Sequence, residues 1–286
     1  MKKLCIYHAD CADGFGAAWV VKAALGEDVG FFPAAYGAAP PYIEGGQDVI
    51  LVDFSYPRPV LLEMAKKAGS ILILDHHASA ERELVDLPPH VECVFDMNRS
   101  GAMLAWDRFY PSEEPPSLFR YVQDQDLWRF ALEGTKEVMA TVHSYPYTRE
   151  AWGRLLMRGI DELRQEGEPI ERKQQKDILS HLRACAYRAV IAGHRVPVVN
   201  VPPGWCSDAG HILAQNERFA ACYWDTGTHR KFSLRSSKDG MDVSMIAGLF
   251  VGGGGHKHAA GFELAHSELH KLSDGNRPPL APVSGA

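Results

Sequence analysis

The sequence predicts an α/β protein: an N-terminal doubly wound, mainly parallel sheet, a helical connector, and a smaller C-terminal α/β domain. Three observations predict it. Short apolar runs recur at 4–7, 49–52, 71–74 and 91–95, with helical patterns between them. The runs are continuously apolar rather than alternating, as strands covered on both faces of a parallel sheet require. After Gly193 the pattern changes to shorter strands separated by helical stretches, which marks a second domain.

In order, Leu4-Cys5-Ile6-Tyr7 reads as the first strand and 14–25 as the helix that follows. Val49-Ile50-Leu51-Val52 is the second strand, and 57–68 a helix opened by Pro57, whose fixed φ suits a first turn. Ile71-Leu72-Ile73-Leu74 and 91–95 supply the third and fourth strands. Strand–helix alternation implies right-handed crossovers and a doubly wound sheet. Two long charged helices are expected over 148–166 and 169–190, where Glu171, Arg172, Lys173 and Asp177 form a solvated face. Strands at 196–201, 219–224 and 231–235 follow, with helical patterns at 207–216 and 242–250. The expected division is therefore 1–168, a connector over 169–192, a second domain over 193–272, and a tail over 273–286. That tail is rich in Pro, Gly and Ser and is expected to be disordered.

Composition narrows the function classes. Of 286 residues, 46% are hydrophobic and 23% charged, which is the balance of a folded chain. A net charge of −6 speaks against a broad basic surface that coats long duplex DNA. Cys5, Cys11, Cys93, Cys185, Cys206 and Cys222 form no C-x-x-C pair, so no zinc knuckle or dithiol motif is indicated. The N-terminus lacks the apolar run of a signal peptide, and no stretch reaches the roughly 20 apolar residues that span a bilayer. A cytoplasmic protein with reduced thiols and no membrane partner is expected.

In an open parallel sheet, ligands bind beyond the carboxyl ends of strands. Here three strands run into polar clusters: His8, Asp10 and Asp13 after the first, Asp53 after the second, and Asp75-His76-His77 after the third. A fourth cluster, Asp124-Gln125-Asp126, follows the apolar segment 118–122. One Asp at a strand end is ordinarily a cap, but three such clusters after three strands exceed what capping needs. Carboxylates gathered so closely would repel, and uncompensated burial costs several kcal/mol each. Divalent cations relieve that cost. Oxygen donors with some imidazole suit Mn²⁺ or Mg²⁺ rather than a thiophilic metal.

These residues bring a family into view. The chain resembles the DHH phosphoesterase superfamily, and within it the subfamily with a C-terminal DHHA1 domain. The resemblance is carried by YHADCADGFGAA at 7–18, VDFS at 52–55, LDHH at 74–77, SGAMLAW at 100–106 and QDQDLW at 123–128. The second domain adds RSS at 235–237 and DVSMIAGLFVGGGGHKHAAGFEL at 242–264. The match runs over roughly residues 1–270 in the family's order. It implies that Asp53 bridges two metal ions, manganese or alternatively magnesium. Asp13, His76 and Asp124 would complete one ion's ligands, with Asp126 the rival to Asp124; His8 and Asp10 would serve the other. His77 would lie near the scissile phosphate, Asp75 would orient the histidine after it, and Ser100 would cap a helix packed near the metals. Relatives commonly place one residue between the two Asp of the first motif, whereas two stand between Asp10 and Asp13. Asp13-Gly14 is the firmer match, and the extra residue leaves two alternatives for Asp10: a ligand, or a displaced side chain with water in its place.

In the second domain Gly252-Gly253-Gly254-Gly255-His256 allows close backbone approach to an anion. Arg235 and His256 can add charge-assisted hydrogen bonds. Arg235, Gly253, Gly254, Gly255 and His256 are thus the expected substrate-binding residues. Cys11, inside the first motif, reads as packing. The activity expected is hydrolysis of short oligonucleotides or linear dinucleotides to mononucleotides. A phosphomonoesterase on 3′,5′-bisphosphorylated nucleotides, a cyclic-dinucleotide phosphodiesterase and an inactive nucleotide sensor are the alternatives.

Overall fold

A computed structural model describes residues 3–272. The chain divides into two compact units, one up to Arg172 and one from Lys173.

The first unit is built on a five-stranded, all-parallel sheet in the order β2-β1-β3-β4-β5. Its strands and helices follow as β1 (Lys3–His8), α1 (Ala12–Leu25), β2 (Val29–Ala34), β3 (Asp48–Val52), α2 (Arg58–Ala65), β4 (Ser70–Asp75), α3 (Ala78–Glu83) and β5 (Val91–Phe95). Four helices complete it: α4 (Gly101–Phe109), α5 (Ser117–Asp126), α6 (Thr135–Ser144) and α7 (Arg149–Leu156). Successive strand residues point to opposite faces. Cys5, Ile50, Val52 and Leu74 pack with α1, α4, α5 and α6 on one side. Ile6, Val49, Leu51, Ile71 and Ile73 pack with α2 on the other. Both faces are dry, which is why the strands read as unbroken apolar runs.

β2 is the strand that the sequence does not announce. It carries Pro33, which cannot donate to a ladder, and is tolerated because β2 lies at the sheet edge. Its place matters, because the order 2-1-3 puts the topological switch between β1 and β3. The crevice at the carboxyl ends therefore opens beside His8 and Asp53.

One helix stands where two were expected on either side of residue 168. Helix α8 (Ile160–Cys185) runs through Pro169 and carries the chain from one unit into the other. Its first half is held tightly: a Cβ on Gly167 would meet the Glu137 carbonyl oxygen of α6 at 1.7 Å, and Thr141 Oγ1 donates to the Leu163 carbonyl at 2.7 Å.

The second unit is a six-stranded sheet ordered β10-β11-β9-β8-β7-β6. It contains β6 (Tyr187–Ile191), β7 (His194–Asn200), α9 (Cys206–Leu213), β8 (Ala220–Asp225), β9 (His229–Arg235), α10 (Val243–Ala247), β10 (Gly254–His256) and β11 (Ala259–Ala265). Only the β7–β8 pair in it is parallel. Residues 187–190, expected as helix, form β6, and the helix expected over 242–250 is the five-residue α10. The expected tail, 273–286, lies outside the described residues. Among the described residues no helix is long and apolar enough to cross a membrane.

Candidate metal centre

After β1 the chain turns through Asp10, whose φ of 52° is left-handed, and enters α1 with Cys11 at its N-cap. Asp13 sits in the first turn, buried, and both its oxygens accept backbone N–H bonds from the start of α4. Gly101 donates to Oδ2 at 2.5 Å and Ala102 to Oδ1 at 3.0 Å. A helix N-terminus suits a carboxylate, because its free N–H groups and dipole present positive charge. Ser100 sets that terminus: its hydroxyl caps Met103 N, and its own N–H donates to Gln123 Oε1 at 3.2 Å. Residue 101 must be glycine, since a Cβ there would lie 2.4 Å from Asp53 Cβ.

Asp53 follows β3 and keeps its N–H in the ladder, donating to the Leu74 carbonyl at 2.9 Å. Its φ of 53° is a conformation that Asp tolerates better than most residues, at a cost on the order of 1 kcal/mol. That turn aims the carboxylate along the crevice, with its two oxygens facing different partners. Oδ1 is 3.0 Å from His76 Nε2. Oδ2 is 3.4 Å from His8 Nδ1 and 3.6 Å from Cys11 Sγ. Each oxygen thus faces a different histidine.

Asp75 ends β4 with both carboxylate oxygens taken up by its neighbours. Ser55 Oγ donates to Oδ2 at 2.6 Å, while Oδ1 takes the His76 N–H at 2.7 Å and lies 2.6 Å from His77 Nδ1. The ring that Asp75 orients is thus that of His77, not that of His76 directly after it. Tyr36, on the loop after β2, lays its ring 5.5 Å from that of His8 and 5.8 Å from that of His77. Nothing in the sequence pointed to Tyr36, because the strand that places it was not legible.

The fourth cluster sorts itself differently from the expectation. Asp124, buried with Leu118, Phe119 and Val122, has its carboxylate committed to the loop after α5. It accepts from Ala131 N at 2.9 Å, Leu132 N at 3.1 Å and Thr135 Oγ1 at 2.5 Å. Asp126 takes the position at the crevice instead, with Oδ2 3.4 Å from His76 Nε2. Two residues along a helix turn the side chain by about 200°, so the two carboxylates cannot share one task. Asp10 is likewise displaced: it is exposed and belongs to none of the close donor groups, and Cys11 stands beside Asp53 in its stead.

Close donor groups, each with its ligand atoms within 4.8 Å of one another, include Asp13, His76 and Asp126; His8, Cys11 and Asp53; and Asp53, Asp75 and His77. Asp53 Oδ1 joins the first to the second. Among the described residues the ion-pair partners of these carboxylates are histidines only. Burial opposes ionisation of Asp53, but hydrogen bonds from His76 and His8 hold it well below the usual carboxylate range. Burial, and then the charges of Asp53 and Asp126, push Asp13 well above that range. Burial resists the charging of His76, yet Asp126, Asp53 and Asp13 together raise it to about 10. So many buried carboxylates around one imidazole leave negative charge uncompensated, and oxygen and nitrogen donors at these spacings fit divalent cations.

The remaining expected residues belong to the second unit. The register sets Arg235 on β9 opposite Ala259 on β11, and Ala259 opposite His256 on β10. All three share one row across the sheet. The Arg235 guanidinium donates to Ser207 Oγ, Ser233 Oγ and the Leu234 carbonyl, each at 2.9 Å. Gly253 and Gly255 are required by packing: a Cβ on Gly253 would meet the Ala247 carbonyl oxygen at 2.1 Å, and one on Gly255 the Ala259 carbonyl oxygen at 2.7 Å. Gly254 lies between them in β10, paired with Gly261.

No family model matches the chain. A protein of Acanthamoeba polyphaga mimivirus, itself uncharacterized, is 28% identical over 283 residues, spanning 91% of this chain and 67% of that one. Among solved structures, an exopolyphosphatase-related protein from Bacteroides fragilis superposes with a TM-score of 0.51 at 14% identity, over 94% of this chain and 89% of the other. The two share a fold. A pGpG-specific phosphodiesterase from Vibrio cholerae gives a TM-score of 0.41 at 11% identity, over 94% of each chain. The two-unit α/β architecture expected of the sequence is the one that the Bacteroides protein also has.

Proposed function

We propose that the chain is a phosphoester hydrolase dependent on two divalent cations, cleaving short oligonucleotides or linear dinucleotides to mononucleotides. The observation that carries the proposal is the placement of Asp53, one oxygen toward His76 and the other toward His8, between two groups of donor atoms. The sequence motifs and the shared fold direct the chemistry toward phosphoesters. Asp13, His76, Asp126 and Asp53 would hold one cation, and His8 and Asp53 the other. Manganese suits such oxygen and imidazole donors, with magnesium the alternative. When bound, the pair would supply Lewis acidity, lowering the pKa of a water and neutralising phosphate charge.

The chain's own groups then have distinct tasks. Burial resists protonation of His77, but Asp75 at 2.6 Å overrides it and raises its pKa. That shift favours the protonated ring, which would supply a hydrogen bond to the phosphate or a proton to the leaving oxygen. Asp75 fixes the ring so that Nε2 is the atom that acts. No side-chain nucleophile is assigned, so water takes that role and no covalent intermediate forms. In the second unit, Arg235, His256 and the backbone of Gly253, Gly254 and Gly255 would bind the substrate's anionic groups.

The test is a phosphoester panel with Mn²⁺: a linear dinucleotide, a cyclic dinucleotide, a 3′,5′-bisphosphate and inorganic polyphosphate. Nucleoside monophosphate from the linear dinucleotide is the expected product. Free phosphate from the bisphosphate as the dominant product would overturn the substrate, and no hydrolysis of any member would overturn the activity. Asp53→Ala should abolish turnover while the fold persists.

A further inference from the structure

We propose that Cys11 is a thiolate ligand at the second cation position, which gives that position a His8–Cys11–Asp53 donor set and a preference for a thiophilic divalent ion such as Zn²⁺. The inference rests on the two-cation reading above and refines it, because the first position has only oxygen and imidazole donors.

Three observations carry it. The donors come from three separate elements: His8 from the end of β1, Cys11 from the N-cap of α1 and Asp53 from the end of β3. Cys11 makes no capping hydrogen bond with its side chain, so the helix start does not account for its orientation. The spacing is also that of coordination. Zinc bonds of about 2.0–2.1 Å to nitrogen, 2.0–2.2 Å to oxygen and 2.3 Å to sulfur, set at tetrahedral angles, place N and O about 3.4 Å apart and S and O about 3.6 Å apart. The His8 Nδ1–Asp53 Oδ2 and Cys11 Sγ–Asp53 Oδ2 distances are 3.4 and 3.6 Å. Three protein ligands leave a tetrahedral ion one open position, as catalytic zinc sites keep.

The competing explanation is a thiol that merely donates a weak hydrogen bond to Asp53. Cobalt(II) distinguishes the two, because a thiolate ligand produces a sulfur-to-cobalt charge-transfer band in the near ultraviolet and a hydrogen-bonded thiol produces none. The full-length protein is stripped with a chelator and titrated with Co²⁺, with bound metal counted by equilibrium dialysis. The expected result is two ions per chain, with the band growing as one of the two sites fills. The band disappears in Cys11→Ser and persists in Cys206→Ser. Zn²⁺ competes for the thiolate site, and Cys11→Ser weakens its binding there by roughly tenfold or more, since even partners outside the ligand set cost that much. Cys11→Asp, which keeps an anionic donor, binds two ions without the band and serves if the serine variant does not fold. Two bound ions with no band, or a band that survives both Cys11 variants, overturns the thiolate and leaves the two-cation centre standing. Failure to bind Co²⁺ at all overturns both.

Discussion

Asp124 and Asp126 stand two residues apart, and their substitution should have opposite signatures. Asp124 holds the loop 127–134, in which Trp128 and Phe130 both take positive φ. Such a loop persists only where its surroundings over-determine it. Three hydrogen bonds to a buried carboxylate do so here, and hydrogen bonds to charged groups contribute about 1.5–3 kcal/mol each. Asp124→Ala should therefore lower stability by about 3 kcal/mol or more. Asp126, with a side chain 25% exposed, props up nothing of that kind. Asp126→Ala should leave the metal-free stability within about 1 kcal/mol, yet weaken cation binding and turnover by at least about 100-fold. Denaturant titration and metal binding of the two variants, run together, check the contrast; a stable, inactive Asp124→Ala protein would reverse the assignment. The sequence showed both carboxylates but not which faced the crevice, since that depends on where α5 ends. Cys11 was hidden for a similar reason: a cysteine before a helix resembles packing until the φ of Asp10 is known.

At the scale of the element, the start of α4 binds the site into one piece. Its N–H groups hold Asp13, its Gly101 lies against Asp53, and its Ser100 reaches back to Gln123 of α5. Gly101→Ala would force a methyl group to within 2.4 Å of Asp53 Cβ. The helix must retreat, at about 1–3 kcal/mol for overpacking, and the two bonds to Asp13 lengthen. Turnover should fall sharply with only a modest loss of stability, and a fully active Gly101→Ala protein would mean that the α4 cradle is dispensable. Elements of this unit were legible where both faces of a strand are dry, as in β1, β3 and β4. They were illegible where proline gave a misleading signal. Pro33 concealed an edge strand, and Pro169 suggested a boundary inside a helix held by Gly167 and Thr141 on α6. The three-residue β10 and the glycine- and alanine-rich β11 escaped notice because such residues carry little hydrophobic pattern; their register depends on contacts with β9 and α10.

For the whole molecule, protonation of the centre and its occupation by cations are alternatives, and stability should report the exchange. His76 has its folded pKa raised from 6.5 to about 10. Its contribution is complete below about pH 6.5 and is lost as pH rises toward 10. Asp13, pushed upward by burial and by Asp53 and Asp126, acts in the same sense over a range beginning near the ordinary carboxylate value. Asp53 and Asp75 are held low against their burial, Asp53 by His76 and His8, and Asp75 by His77 and Ser55. Their contribution is present above about pH 4 and is lost in acid. Without metal, stability should be greatest in mildly acidic solution and decline from pH 6.5 to 10. Cations need the deprotonated ligands, so they bind more tightly as pH rises and replace the protons that the centre loses. At 100 times Kd a ligand adds about 2.7 kcal/mol, so Mn²⁺ should raise Tm more at pH 9 than at pH 6.5 and flatten the alkaline decline. His76→Asn should make the metal-free slope shallower. Calorimetric scans of the chelator-treated and Mn²⁺-loaded protein across this range provide the check. Parallel Tm curves with and without Mn²⁺ would mean that the buried carboxylates and His76 are settled among themselves and await no cation.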